Sequence, residues 1–187
     1  GWVHRNKLTA HDRVPRWLTL PLRPAPRDTK IVDLEFGETA AGWWDRERGR
    51  FRALSGAGAD LAIELVGEPA VGGRVADFLV DQLSRITEEL GISTPIVRSS
   101  TLPISPALRG QDRILEICRL LKAEVYVNAP GGRALYDEGT FRSRGIELSF
   151  LAPWSARPTS VLEALILGDR ETLIHAIQVH GSSAWTS

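Results

Sequence analysis

From Leu108 to Phe150 the chain reads LRGQDRILEICRLLKAEVYVNAPGGRALYDEGTFRSRGIELSF. Ile114, Leu115, Ile117, Cys118 and Leu121 recur at helical spacing, which predicts a helix over 109–122 with one buried face. The run Glu124 to Asn128 is β-branched and aromatic, and too short for anything but a strand. Pro130-Gly131-Gly132 ends it, and two glycines leave backbone N–H groups free to face a ligand. Arg133 to Phe141 suits a helical turn or two, stopped by Gly145, and Ile146 to Phe150 alternates like a second strand. Two strands joined by about a dozen residues containing a helix make a small βαβ unit, normally parallel and right-handed.

Polar residues crowd the ends of this unit. Gln111, Asp112 and Arg113 stand in the first turn of the helix, and Asn128 with Gly131-Gly132 follows the carboxyl end of the first strand. In open α/β sheets ligands collect at that end. Asn128 and Gly131 can also simply build a tight turn, and Asp112 can complement the helix dipole. A double glycine without longer phosphate-loop spacing is a weak motif.

Working outward, residues 1–22 predict two strands, Trp2–Leu8 and Trp17–Leu22, around a polar turn at His11-Asp12-Arg13. His4 and Asn6 share one face of the first strand, Arg5 and Lys7 the other. Ile31–Phe36 alternates as a further strand, and Gly37-Glu-Thr39 opens an amphipathic helix to about Leu54 carrying Trp43 and Trp44. The tryptophan pair is most economically core packing, with sugar stacking the sharper alternative. Residues 55–73 read as a loop with one short element at Leu61–Val66. Phe78, Leu79, Leu83, Ile86 and Leu90 line a helix over 75–90, stopped by Gly91, and Pro95–Arg98 reads as a short strand. Thr159 or Ser160 caps a helix to Leu167 in which Val161, Leu162, Leu165 and Ile166 are expected to be buried. Asp169 opens a last helix. The expected fold is therefore α/β: a small mixed, largely parallel sheet flanked by helices, in a single domain over 1–180 with a disordered tail at 181–187.

Composition bounds the function. A chain of 187 residues suits one domain. Its 23 basic and 23 acidic residues balance, which gives no case for general nucleic-acid binding. Arg5, Lys7, Arg13, Arg16, Arg23, Arg27 and Lys30 make the first thirty residues locally basic, which suits an anionic ligand or, more commonly, a solvated face. The single Cys118 excludes an internal disulfide and a cysteine zinc cluster, and its place on an apolar stripe predicts a buried, inert thiol. The four histidines show no metal-ligand spacing, and no nucleophile elbow, phosphate loop or dinucleotide fingerprint is present. No run of about eighteen apolar residues spans a membrane, so the expected location is cytoplasmic. Asp137, just beyond the glycine turn, is a candidate acid or base that could equally cap the short helix.

At this point the residues carry a resemblance. Gly110-Gln-x-Arg113-Ile-x-x-Ile117-Cys118, Tyr126-x-Asn128-x-x-Gly131-Gly132, Tyr136, Phe141 and Gly145-Ile-x-Leu-x-Phe150 are similar to the WbqC-like family. So are the opening Arg5-Asn6 motif and Trp17-Leu-Thr-Leu-Pro21. Family members begin with a strand and a His/Gln-Pro-x-Tyr/Phe-x-Pro segment, which is expected to lie ahead of Gly1. The Tyr- and Gln-rich loop before their final helix is short here, at Leu151–Thr159, and His4 stands where Asn is more usual.

The resemblance implies a role in surface-polysaccharide (O-antigen) or specialised-metabolite biosynthesis. The reaction implied is glycine-type aminoacyl transfer to the amine of an amino sugar or related metabolite. The donor would be an aminoacyl-tRNA or an acyl carrier protein; no cofactor and no membrane is called for. Such chemistry needs a base and oxyanion donors. By motif position, His4, Asn6 and Asp137 are the catalytic candidates, with His4 the nearest base. Arg5 and Lys7 would meet an anionic or carbonyl group, and Gln111, Arg113 and Tyr136 would fix the substrate. Asn128 and the amides of Gly131 and Gly132 would supply oxyanion or phosphate donors. All are expected to converge on one pocket at a sheet edge. The alternative is a non-catalytic α/β module binding a nucleotide-sugar or carrier-linked ligand. A third reading is an assembly protein using exposed tryptophans, with a homodimer as one outcome.

Overall fold

A computed structural model describes residues 3–56, 58–153 and 160–183. In chain order the elements are β1 (Arg5–Thr9), β2 (Pro15–Thr19), α1 (Trp43–Glu47), α2 (Gly58–Val66) and α3 (Val75–Glu89). They continue with α4 (Gly110–Leu121), β3 (Val125–Asn128), α5 (Glu138–Ser143), β4 (Glu147–Phe150), α6 (Val161–Ile166) and α7 (Arg170–Ser183). The fold is mixed α/β, its strands forming one antiparallel pair, β1–β2, and one parallel pair, β3–β4. The chain divides into two compact units, one comprising Gly1–Ile96 with Arg157–Ile174, the other Val97–Ala156 with His175–Ser187.

In the first unit, β1 and β2 form a hairpin in the register Arg5↔Thr19 to Thr9↔Pro15. Pro15 opens β2, where a missing N–H costs least. The turn closes through Ala10 N–H donating to Val14 C=O at 3.1 Å, with Arg13 in the left-handed region at φ 64°. Leu8, Phe36, Phe51, Leu54, Val66, Val75 and Leu162 form the buried centre. Buried Glu163 of α6 reaches the hairpin, accepting from Thr9 N–H at 2.7 Å and Thr9 Oγ1 at 3.1 Å. α6 is capped by Ser160, as its sequence predicts, but Val161 is exposed rather than buried because it follows the cap on the outer side.

The middle of this unit departs from the sequence reading. Ile31–Phe36 is not a strand: Ile31–Asp33 is a 3-10 turn with Ile31 and Val32 exposed, followed by isolated bridges Leu22↔Phe36 and Glu35↔Arg74. Alternation makes a strand only where a partner runs alongside, and the neighbours here are loop segments. The helix expected to reach Leu54 breaks into a 3-10 turn at Glu38–Ala40, α1, and another at Arg52–Leu54. Gly42, at φ 63°, interrupts the first join in a conformation that helix interiors do not use. The short element expected at Leu61–Val66 is present as the end of α2, which begins earlier, at Gly58, and buries Ala62, Leu65 and Val66. Its Gly58 is required by packing, since a Cβ there would meet Ile166 Cγ2 at 2.7 Å. Pro95–Arg98 joins no ladder, and Ser99–Thr101 forms a 3-10 turn instead.

The second unit is the βαβ arrangement the sequence predicts. α4 buries Leu115 and Cys118 against Phe141 of α5 and Ile146, with Tyr126, Tyr136 and Leu148 packed around them. β3 and β4 pair in register from Val125↔Glu147 to Asn128↔Phe150. Pro130–Leu135 forms a 3-10 segment ahead of α5, and Gly145 (φ 71°) ends the helix. α7 reaches Ser183, so Gly181 to Ser183 are helical rather than part of a tail; residues 184–187 lie outside those described. The short loop expected at Leu151–Thr159 lies partly outside them as well.

Candidate functional site

The predicted polar residues fall into two groups, one in each unit. In the βαβ unit, period-two alternation puts Tyr126 and Asn128 on the same face of β3. Tyr126 stacks on Phe141 with centroids 5.5 Å apart and an interplanar angle of 12°, and its hydroxyl donates to the Tyr136 hydroxyl at 3.3 Å. Burial, reinforced by that bond, pushes the Tyr126 phenol far above its ordinary pKa. Tyr136 meets Phe141 edge-on at 5.8 Å, completing an aromatic trio. Beside it, the Arg133 guanidinium lies 4.6 Å from the centre of the Phe150 ring.

Most of the polar groups around this trio are already engaged. Gln111 Oε1 accepts from Asp137 N–H at 2.6 Å, so it ties α4 to the start of α5. Asp137 is the N-cap of α5: its Oδ1 accepts from Thr140 N–H at 2.8 Å and Thr140 Oγ1 at 2.6 Å. Those two bonds hold its carboxyl below the usual carboxylate range, which suits a cap and not a proton carrier near neutral pH. Asn128 Oδ1 accepts from Ala129 N–H at 2.7 Å. The Gly132 N–H donates to Ala129 C=O at 3.0 Å, so this amide is not the free oxyanion donor the sequence suggested. Gly132 is instead needed for space, because a Cβ there would lie 2.7 Å from Asn128 Nδ2. Gly131 faces open space, and Arg113 makes no ion pair among the described residues. Cys118 is buried and its thiol is pushed up by burial, as its place on the stripe implies.

In the hairpin unit, His4, Arg5 and Asn6 line a hollow of about 60 Å³. Leu18, Leu20, Val66, Leu79 and Leu162 give it an apolar floor, and Gln82 of α3 adds a fourth polar group. Burial, then the adjacent Arg5 charge, lowers the His4 imidazole below 6.5, so it is neutral at pH 7. The His4 carbonyl accepts from Leu20 N–H at 2.9 Å, which fixes its backbone. Lys7 does not line this hollow; its ammonium sits 5.0 Å from the centre of the Trp17 ring on the exposed side of the hairpin. Gln82 escaped the sequence reading, although it stands three positions after Leu79 and so on the same helical face. Tyr126 was visible within its motif, but nothing local marks it as the partner of Tyr136.

Trp43 and Trp44 are only 3% and 4% exposed, with indole N–H groups donating to Thr19 C=O and Gly67 C=O at 3.0 Å each. They are core, so neither sugar stacking nor assembly through this pair fits; Trp17 is the exposed indole of the hairpin. Among the described residues no group of three or more His, Cys, Asp or Glu side chains could hold a metal ion. No helix among them is long and apolar enough to cross a membrane.

Across residues 59–158, just over half of the sequence, the chain matches the sequence model of the WbqC-like protein family. The chain belongs to the WbqC-like protein family. The match spans α2 to the end of β4 and so takes in the aromatic trio, Gln111, Asn128 and both glycines of this WbqC-like chain, while the hairpin lies ahead of it. No curated protein and no solved structure matches the chain.

Proposed function

We propose that this WbqC-like protein is a biosynthetic acyltransferase of the glycine-type aminoacyl class, with His4 as its base. The observation that carries the reading is the hollow in which a neutral imidazole lies beside Arg5, Asn6 and Gln82. The acceptor would be the amine of an amino sugar or related metabolite. The donor would be an activated ester or thioester on an aminoacyl-tRNA or a carrier protein. The amine nitrogen attacks the acyl carbon while His4 takes its proton. The tetrahedral oxyanion is met by the Arg5 guanidinium or the Asn6 amide. Collapse breaks the carbon–sulfur or carbon–oxygen bond, and the imidazolium returns its proton to the leaving group.

A second reading has its own support in the βαβ unit. There Asp137 is a cap and the Gly132 amide is engaged, which leaves an aromatic trio, Arg133 and the Asn128 Nδ2 group without a base. That inventory suits a ligand-binding module for a nucleotide-sugar or carrier-linked group.

One experiment separates them. A glycyl N-acetylcysteamine thioester is offered with a mixture of amino sugars, and amide products are followed by mass spectrometry. Transfer by the wild type, falling at least ~100-fold in His4→Gln, is the expected result. The acid limb of kcat/KM should fall through a pKa below 6.5, because the lowered value keeps the base available to lower pH. Wild-type turnover retained in His4→Gln overturns the assignment of the base. Absence of product with binding of a nucleotide-sugar favours the second reading.

A further inference from the structure

The hollow beside His4 is small, apolar below and polar at its rim. Its floor is built by Leu18, Leu20, Val66, Leu79 and Leu162, with Val3 beside them. At roughly 10–15 Å³ of space for each water-sized group, its volume of about 60 Å³ admits only about four to six non-hydrogen atoms. A sugar ring or a nucleobase is too large to enter, whereas a short alkyl or acyl end is not.

The rim decides which short group suits it. Asn6 lies on β1, on the same face as buried Leu8, and Gln82 lies on α3 one turn after Leu79. Each carries a carboxamide with two N–H donors, and neither side chain makes a hydrogen bond among the described residues. Arg5 adds a permanent cation without an ion pair among the described residues, close enough to the His4 ring for its charge to act there. The imidazole is neutral at pH 7 and so adds an N–H donor rather than a second charge. No acid lines the hollow: Glu163, next to Leu162, is turned to Thr9. Donors and one positive charge therefore stand above a hydrocarbon floor, with no carboxylate to receive an ammonium.

We propose that this hollow binds a short-chain monocarboxylate, its carboxylate among Arg5, Asn6 and Gln82 and its alkyl end on the leucine floor, in competition with the acyl donor. The competition rests on the acyl-transfer reading; the binding does not. Free glycine is rejected although it is isosteric with propionate, because its ammonium would lie on the floor without a partner. A glycyl ester or thioester escapes that penalty by entering with its less basic amine uncharged.

Propionate, propionamide, glycine and hexanoate serve as probes, with binding read by titration calorimetry and by NMR of the His4 ring. Propionate should bind in the millimolar range, as suits so small a ligand, and should raise the His4 pKa by bringing a negative charge beside the ring. Propionamide should bind at least ~10-fold more weakly for want of the charge, and glycine likewise because of its ammonium. Hexanoate should also bind at least ~10-fold more weakly, and Leu79→Ala should narrow that gap by opening the floor. Arg5→Gln, at an exposed side chain, should weaken propionate at least ~10-fold with the melting temperature unchanged. Unmoved His4 signals at tens of millimolar propionate, equal binding of glycine or propionamide, or full binding in Arg5→Gln each overturns the proposal. Propionate should further raise the KM for the glycyl thioester at unchanged kcat. Propionate binding in a protein that transfers nothing leaves the site standing and removes the acyl-transfer reading, whereas transfer unaffected by saturating propionate overturns the competition.

Discussion

In the βαβ unit, Gln111 is bonded to the Asp137 backbone, Asp137 to Thr140, Asn128 to Ala129 and Tyr126 to Tyr136. In the hairpin unit, no hydrogen bond or ion pair among the described residues ties down the side chains of Arg5 and Asn6, and His4 is held through its carbonyl. The two regions carry similar polar residues and use them differently. Where each polar side chain satisfies a neighbouring backbone group, the set is a scaffold. Where side chains stand open around an apolar floor, they remain available to a substrate. Motif strength therefore follows structural need as much as chemistry.

The largest expected effect tests whether the βαβ unit is a scaffold. Phe141 is 0% exposed and touches both tyrosines, Leu115, Cys118 and Ile146 as one cluster. Phe141→Ala should cost about 3–5 kcal/mol, the usual loss for a truncated buried aromatic. Chemical denaturation measures it. A loss under about 1 kcal/mol would mean that the aromatic trio is not what holds α5 to β3, and the contrast between the units would fail.

A smaller effect is expected at Glu163, which has no charge partner among the described residues yet is only 5% exposed. Ser160-Val-Leu-Glu163 has the spacing of a capping box, in which the acid turns back to the cap residue. Here the Glu163 carboxylate leaves its own helix and accepts from Thr9, 154 residues away. Glu163→Ala strands the Thr9 N–H and should cost about 1–3 kcal/mol, whereas Glu163→Gln keeps one acceptor and should lose less. Melting curves of the two variants decide it; equal losses would remove Thr9 as the reason for burying this acid.

These two sites also show how far sequence alone reaches. The βαβ unit is contiguous, with a helical stripe, two short strands and glycines that each report local geometry, so it was legible from Leu108 to Phe150. The hairpin was legible for the same reason, offset by a few residues. Between them, the chain from Ile31 to Gly73 takes its shape from remote contacts: Phe36 bonds Gly73, Trp44 bonds Gly67, and Gly58 admits Ile166. No local pattern encodes those partners. The site was legible as a set of residue types and not as a set of roles, because whether Asp137 is a base or a cap depends on where Thr140 points.

Asp137 gives the smallest and most diagnostic effect. As a cap, Asp137→Ala should lower the melting temperature slightly and leave any acyl transfer unchanged, and Asp137→Asn should restore most of the loss, since Asn caps as well. As a base, both variants would abolish turnover at full stability. The pH dependence separates the roles further. Its folded pKa is held below the ordinary 3.8 by Thr140, so the stability it adds is fully present above about 3.8 and is lost as pH falls through the lower folded value. The stability difference between wild type and Asp137→Ala should therefore be constant from neutral pH down to about 4 and close only in stronger acid. A difference that closes near neutrality would mean a carboxyl with a raised pKa, and the βαβ unit would then hold an ionisable group poised for proton transfer.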